Sequence, residues 1–167
     1  MKKLMLKAGF VAVLAGILAA CTPAQSELTT ESVKAQATII GFVKYNTGAA
    51  KDPNVGFTYN NYDVLPKAAI EVRIPYNSFG KNSQGNYSVT ATANNDGYYE
   101  VTIPVASANV NVEVSVQPFT NKMGVADIEA DKVNMKDALY PRQSSYVNLT
   151  PGDKVMCNLN VNGAVIE

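Results

Sequence analysis

A short segment that combines aromatic rings with carboxamides is the strongest candidate for a binding site. Phe57, Tyr59 and Tyr62 are interleaved with Asn60 and Asn61. A tyrosine ring offers an apolar face with a polar group at its end, so these residues can stack on sugar rings and bind their hydroxyl groups. The alternative interpretation is structural, with the rings packed against the domain edge to close a loop. The chain has no tryptophan, which weakens the carbohydrate interpretation.

Residues for nucleophilic or acid–base catalysis are scarce. The chain has no histidine, which removes Ser-His-Asp triads, Cys–His pairs and the commonest zinc ligand. Cys157 is a nucleophile on paper, but it shares a strand face with Val155 and Leu159, where a buried and inert thiol is expected. We therefore expect no enzyme activity and no cofactor.

Carboxylates are the remaining candidates for chemistry, because two of them flanking a cleft can hydrolyse a glycosidic bond. The candidates are Asp52, Asp63, Asp96 and the group Asp127, Glu129 and Asp131. Asp96 precedes a glycine in a turn, where backbone geometry favours this pair of residues. The group at 127–131 offers oxygen ligands for calcium, but its spacing matches no EF-hand loop. A solvated acidic loop is expected there, and no metal site is predicted.

The N-terminus has the parts of a secretory signal peptide. Three lysines precede an apolar run over residues 8–20, which is shorter than the roughly 20 residues that span a bilayer. The run ends in Leu-Ala-Ala-Cys at residues 18–21 and resembles the lipobox of bacterial lipoproteins. This resemblance implies a signal peptide over residues 1–20 and a lipid anchor at Cys21. The residue directly after Cys21 is threonine and not aspartate, which, by resemblance to lipoproteins of Gram-negative bacteria, implies the outer membrane as the location.

Composition excludes one large class of partners. Without residues 1–20 the chain loses three of its 14 basic residues and none of its 14 acidic ones, so 11 and 14 remain. A net charge of about −3 without a basic cluster argues against nucleic-acid binding. Residues 21–36 are polar and lack periodicity, which indicates a flexible tether. Residues 37–167 then form a single domain.

From residue 37 onward the hydrophobic pattern has a period of two. Ile70 and Val72, for example, alternate with Glu71 and Arg73, which gives one buried and one solvated face, as in antiparallel sheets. The pattern predicts strands at 37–45, 68–76, 86–93, 97–105, 109–118, 145–149 and 154–162. Seven short strands without a long amphipathic helix predict an all-β fold, a seven-stranded antiparallel β-sandwich.

The connections between these strands are of two kinds. Turn-forming residues at 94–97 and 151–153 predict hairpins. Residues 46–67 and 119–144 are predicted as long loops, the second with a hint of an edge strand near Val133 and Met135 and of a helical turn at 125–130. Loops of this length in a compact domain are often functional or mobile.

Four segments resemble the carboxypeptidase regulatory-like domains. Residues 37–43 (ATIIGFV) and 67–72 (KAAIEV) are similar to their first two strands. Residues 92–101 (TANNDGYYEV) are similar to their most recognisable segment, and 147–153 (VNLTPGD) to their final hairpin. The similarity covers about residues 37–162. It implies a transthyretin-like (prealbumin-like) sandwich and carries over no catalytic residue.

Three functional hypotheses follow. The first is a non-catalytic, lipid-anchored module of the cell envelope that contacts another protein or stabilises an assembly. The second is a carbohydrate-binding surface lipoprotein that uses residues 57–62. The third is a hydrolase that uses loop carboxylates. Solvent-facing tyrosines favour the second hypothesis, whereas buried tyrosines favour the first.

Overall fold

The computed structural model describes residues 33–80 and 84–166, and in them the chain is mostly β-strand. Twelve strands of this part are β1 (Gln36–Asp52), β2 (Gly56–Val64), β3 (Ala69–Pro75), β4 (Asn86–Thr92), β5 (Tyr98–Pro104), β6 (Val110–Val116), β7 (Phe119–Asp127), β8 (Lys132–Tyr140), β9 (Gln143–Leu149), β10 (Lys154–Met156), β11 (Leu159–Val161) and β12 (Ala164–Val165). Helical structure here is one 3-10 turn, Tyr76–Phe79. No helix in the described ranges is long and apolar enough to cross a bilayer.

These strands form two sheets, as expected for a sandwich. β1 runs through the larger sheet, with β5 and then β2 antiparallel to it on one side. On its other side lie β10, β11 and β7, all parallel to β1. β8 pairs with β7, and β12 pairs with β8. The smaller sheet is antiparallel in the order β4-β3-β6-β9.

The all-β sandwich prediction is confirmed, whereas the strand number and some directions differ from it. The structure has twelve described strands in place of seven, and three strands run parallel to β1. The predicted signal peptide, Cys21 and the tether up to residue 32 lie outside the described residues. β1 begins at Gln36, the residue before the predicted start of the domain.

The core lies between the inner faces of the two sheets. Ile39 and Val43 of β1 face Val72 of β3 and Val112 of β6 across this space, and all four are fully buried. Burial of one such side chain contributes about 1.5–3 kcal/mol. Tyr99 lies in the same core, and burial raises the pKa of its hydroxyl. The core thus follows from the alternation that the sequence shows.

The first predicted loop, residues 46–67, is wrong, because most of it is a hairpin formed by the second half of β1 and by β2. Asp52 closes the turn, since its Oδ1 accepts hydrogen bonds from the N–H groups of Asn54 (2.7 Å) and Val55 (3.2 Å). Two register shifts interrupt the hairpin. Each bulge adds an unpaired residue and breaks the period of two, which hides the strands in the sequence.

The second predicted loop, residues 119–144, is also wrong, because it contains the hairpin of β7 and β8. Its turn is fixed by Asp127, whose Oδ1 accepts a hydrogen bond from the N–H of Ala130 at 3.1 Å. The edge strand suspected near Val133 is confirmed as part of β8. The helical turn suspected at 125–130 is wrong, because the chain stays extended to Asp127 and then reverses.

The two predicted hairpins, residues 94–97 and 151–153, are instead connections between the sheets. β4 pairs with β3 in the smaller sheet, whereas β5 pairs with β1 in the larger one. β9 and β10 are separated in the same way. The turn chemistry itself is as predicted, because Asn94 Oδ1 accepts hydrogen bonds from the N–H groups of Asp96 and Tyr98, both at 2.9 Å. A turn sequence specifies a reversal but not the sheet that the next strand joins.

Candidate functional site

The exposed members of the predicted binding segment lie on β2, at an edge of the larger sheet. β2 pairs with β1, and no described strand pairs with its other edge. Tyr59 and Tyr62 are 59% and 41% exposed, so both tyrosines face solvent. Asn60 between them is also exposed and has a positive φ of 57°. These three residues remain available to a ligand.

The other two members of the segment hold the hairpin together. Asn61 is half-buried, and its Nδ2 donates hydrogen bonds to the carbonyl oxygens of Gly48 (2.9 Å) and Thr58 (3.3 Å). Phe57 is half-buried beside Lys51 on β1. The structure therefore divides the five predicted residues into three that face solvent and two that position them.

Tyr62 belongs to a larger surface on the outer face of the larger sheet, which we call the Tyr–Asn face. Strand pairing and alternation arrange its nine side chains in three rows across the strands. The rows are Tyr98, Phe42 and Asn158, then Val64, Lys44 and Asn160, then Tyr62, Asn46 and Asn162. Successive rows are about 6.6 Å apart and neighbouring strands about 4.8 Å apart. The face is thus a regular array of aromatic rings and carboxamides.

Hydrogen bonds fix the asparagines at one side of this face. The predicted strand 154–162 is interrupted between β10 and β11, and there Asn158 Oδ1 accepts a hydrogen bond from the N–H of Phe42 at 3.0 Å. The hydroxyl of Tyr62 donates to Asn162 Oδ1 at 2.6 Å. Both carboxamide oxygens are therefore engaged, whereas neither amide nitrogen has a hydrogen-bond partner among residues 33–80 and 84–166, so the N–H groups can donate to a ligand.

The opposite end of the face is organised by aromatic and polar contacts. The rings of Phe42 and Tyr98 meet edge to face, with centroids 5.5 Å apart. The Tyr98 hydroxyl donates to Glu100 Oε2 at 2.8 Å. This hydrogen bond raises the pKa of Tyr98 and lowers that of Glu100. Lys154 neutralises Glu100, with its Nζ 3.5 Å from the Oε1 oxygen.

A groove of about 370 Å³ continues the face beyond its third row. Its lining includes Asn46, Tyr59, Asn60, Ala49, Gly124, Ala126 and Gly163. The floor requires glycine, because a Cβ atom at Gly124 would overlap the carbonyl oxygen of Ala49. Small residues therefore make the depression, and Tyr59 and Asn60 border it. The groove and the Tyr–Asn face form one continuous surface through Asn46.

A charged network on the outer face of the smaller sheet is centred on Glu71. Its carboxylate accepts hydrogen bonds from Arg73 (2.9 Å), Arg142 (2.8 Å), Gln117 (2.8 Å) and Ser88 (3.1 Å). The Arg73 hydrogen bond is the main cause that lowers the pKa of Glu71 to about 2, against an opposing effect of burial. The charges pair with one another, which indicates a structural role.

The carboxylates considered for catalysis are used by turns and ion pairs. Asp52 and Asp127 accept backbone hydrogen bonds within their turns, and Asp63 Oδ1 accepts one from the N–H of Val64. Asp131 pairs with Lys51, with Nζ and Oδ2 2.5 Å apart. No three acidic or cysteine side chains of the described residues are grouped so that they could hold a metal ion.

The Cys157 thiol lies within the core, as its strand face predicted. The residue is 4% exposed and is a free cysteine. Its carbonyl oxygen has a structural role, since it accepts a hydrogen bond from the Tyr99 hydroxyl at 2.5 Å. A Cβ atom at Gly41 would overlap this carbonyl, so Gly41 is required where β1 passes it. The buried position gives a substrate no access to the thiol.

Most of the Tyr–Asn face was not predicted from the sequence. Asn158 and Asn160 visibly alternate with the buried Cys157 and Leu159, which is enough to place them on a solvated face. The missing information was the pairing of β10 and β11 with β1, because that pairing brings the asparagines beside Phe42. Strand alternation identifies a face, and only tertiary pairing identifies its neighbours.

Comparisons with known proteins identify no family for this chain. No protein-family model matches the chain, and no curated protein matches it. A Pseudomonas aeruginosa structure, named as a candidate carbohydrate-binding protein, aligns at a TM-score of 0.43 and 11% identity over 79% of this chain and 92% of that one. The shaft pilin SpaA from Lactobacillus rhamnosus GG aligns at 0.36 and 8% identity over 80% of this chain and 52% of the pilin. Both are β-sandwich folds, and at these scores neither informs function.

Proposed function

We propose that this chain is a non-catalytic carbohydrate-binding module, anchored in the bacterial outer membrane by a lipid at Cys21. The observation that carries the proposal is the exposure of Tyr59 and Tyr62 beside asparagine carboxamides on one surface. Solvent-facing tyrosines favour carbohydrate binding over a purely structural role for residues 57–62. The lack of histidine supports a non-catalytic role.

The chemistry of the surface suits a sugar. A sugar ring has C–H groups on its faces and hydroxyl groups around its rim, so it needs apolar stacking and directional hydrogen bonds at once. Tyr59 and Tyr62 supply rings with polar ends, and Asn60 and Asn162 supply carboxamides beside them. A few placed polar groups among apolar ones are typical of small-molecule sites.

The path of β1 gives the surface a useful position relative to the proposed anchor. β1 begins at Gln36, directly after the tether, and has 17 residues, which corresponds to a length of roughly 55 Å. The groove lies toward its far end, around Ala49. A ligand bound there would be well separated from the point where the tether enters the domain.

The first test is a binding screen of the purified full-length chain, kept in mild detergent, against polysaccharides and cell-wall fragments. The matched variant is Tyr59→Ala/Tyr62→Ala. We expect at least one glycan to bind and the double variant to lose about tenfold or more in affinity, because stacked aromatic contacts contribute about 1 kcal/mol each. Circular dichroism checks that the variant is folded.

Tyr146→Ala is the control for the loss of an exposed tyrosine. Tyr146 is 65% exposed on β9 in the smaller sheet, away from the Tyr–Asn face. This variant should bind as the parent does. The proposal fails if no glycan binds, or if the control variant and the double variant lose affinity equally.

Protein contact at the hairpin tips is the second candidate function. Val55 and Ile128 are 72% and 74% exposed at the turns of the two hairpins. The hairpins are joined near these tips by the ion pair of Lys51 and Asp131. Exposed apolar side chains at hairpin tips that are joined in this way favour a protein partner. A photo-crosslinker at position 55, with position 146 as the control, tests this in intact cells: a protein adduct formed only from position 55 would support it.

A further inference from the structure

We propose that the glycan taken by the Tyr–Asn face is a linear acidic polysaccharide, extended along β1, with a carboxylate bound by Lys44. This inference rests on the proposed carbohydrate-binding function and specifies its ligand. Lys44 lies in the middle row, between the row of Phe42 and the row of Asn46. A ligand that contacts all three rows must pass over its side chain.

The length of the surface indicates a chain and not a single sugar. From Phe42 to Asn46 the strand advances four residues, or about 13 Å, and the groove around Ala49 extends it by about 10 Å more. Aromatic rings occur at both ends, with Tyr98 and Phe42 at one and Tyr62 and Tyr59 at the other. Such a row of separated platforms suits successive units of one extended chain.

The charges on the face select an acidic ligand. Lys44 is exposed, and within residues 33–80 and 84–166 no carboxylate lies within ion-pair distance of it. Glu100, on the same face, is already paired with Lys154. Asp63 neighbours Val64 but pairs across the strands with Tyr45, whose ring packs against the core, so alternation directs it to the other side of the sheet. A ligand carboxylate would give Lys44 its missing counter-charge.

Some hydrogen-bond donors of the face agree with this choice, although Asn46 offers none, because its Nδ2 donates to Asn60 Oδ1 and its Oδ1 accepts from the N–H of Gly48. Asn158 Oδ1 is occupied by a backbone N–H and Asn162 Oδ1 by the Tyr62 hydroxyl, so each residue offers the ligand its amide N–H groups. The Lys44 ammonium adds further donors. A uronic acid unit, with two carboxylate oxygens, a ring oxygen and several hydroxyls, supplies the matching acceptors. One lysine is too few for nucleic-acid phosphates, which are bound by several basic residues.

The test measures binding of the full-length chain to polygalacturonate and alginate fragments, as dimers, tetramers and hexamers. Each acidic series is matched by its carboxyl-reduced, neutral counterpart. We expect affinity to rise from dimer to hexamer and to fall about tenfold when the carboxyl groups are reduced. Lys44→Gln should lower the affinity for the acidic fragments about tenfold and leave that for the neutral ones unchanged, since one charge-assisted hydrogen bond is lost.

One control variant and one further variant test the acidic ligand and the extended binding mode separately. Lys34→Gln removes an exposed lysine ahead of β1, outside the three rows and the groove, and should bind as the parent does. Phe42→Ala should weaken hexamers more than dimers, because short fragments can avoid the first row. Equal affinity for acidic and reduced fragments, or an unaffected Lys44→Gln variant, overturns the acidic ligand. Affinity that does not depend on length overturns the extended binding mode.

The result also separates this inference from the proposed function. If neutral glycans bind and depend on Tyr59 and Tyr62, the module is a carbohydrate binder and the acidic ligand is wrong. If neither acidic nor neutral glycans bind, the proposed function fails and the inference fails with it.

Discussion

The Glu71 carboxylate stabilises the smaller sheet while it is ionised. Hydrogen bonds led by that of Arg73 lower its pKa to about 2, from an ordinary value of 4.5. Because the folded-state pKa is the lower one, the stabilisation is fully present above about pH 4.5 and is lost as the pH falls toward about 2. Acid should therefore destabilise the smaller sheet, which has no role in the proposed binding.

We predict that Glu71→Gln lowers the free energy of unfolding at pH 7 by about 1–3 kcal/mol, a range that allows for solvent screening of partly exposed groups. The difference from the parent should shrink as the pH approaches about 2. Urea unfolding of both proteins at neutral and acid pH measures it. Glu129→Gln, at an exposed turn, is the control and should change little. A deficit that is the same at both pH values would contradict the assignment of the stabilisation to ionised Glu71.

Among the elements, the β1–β2 hairpin depends on the side chain of Asn61. Its carboxamide fills the irregular part of the ladder by donating to the carbonyl oxygens of Gly48 and Thr58. Gly48 and Thr58 lie next to the two register shifts of this ladder. A side-chain amide thus adds hydrogen bonds to the backbone at the point where β2 carries Tyr59 and Asn60.

We predict that Asn61→Ala speeds amide hydrogen exchange in β2 and in the second half of β1 by about fivefold, because local opening becomes about 1 kcal/mol easier. Exchange in β3 and β6 should not change, since they belong to the other sheet. Asn95→Ala, in an exposed turn, controls for the loss of an asparagine. Faster exchange throughout the domain would show that Asn61 supports the whole fold and not this hairpin.

Elements with one buried face could be predicted from the sequence, and elements exposed on both faces could not. β3 was predicted as 68–76 and observed as Ala69–Pro75, because Ile70, Val72 and Ile74 are buried in regular alternation. β8 has exposed residues on both faces along most of its length, so its sequence lacks a clear period. The two missed hairpins each turn at an aspartate, Asp52 or Asp127, and these turn-forming residues were the signals that the sequence offered for them.

The sequence predicts the tyrosines of the candidate site, but it does not predict which other residues share the surface with them. Tyr59, Asn60 and Tyr62 are close in sequence, so composition alone drew attention to them. Phe42, Lys44 and Asn160 are far apart in sequence, and β-pairing joins them. No local pattern in the sequence encodes that register, which depends on the complete sheet.

For the whole molecule, β1 is a central element, so a substitution on its buried face should destabilise the whole domain. Ile39 is fully buried, at a position where β1 pairs with both β5 and β10. We predict that Ile39→Ala lowers the free energy of unfolding by about 2–5 kcal/mol. Tyrosine fluorescence and far-ultraviolet circular dichroism should report the same shifted midpoint. Thr102→Ala, at an exposed position of β5, is the control. Two separate transitions would show that the two sheets unfold independently.

The same strand has a mechanical consequence for a tethered protein. If the chain ahead of Gln36 is fixed and a long ligand is dragged at the groove, the two pulls act on opposite ends of β1. The tension between these two points runs along the covalent backbone of β1, so the hydrogen bonds to β5 and β10 are not pulled open one after another. β1 would thus carry the load between the anchor and the bound ligand.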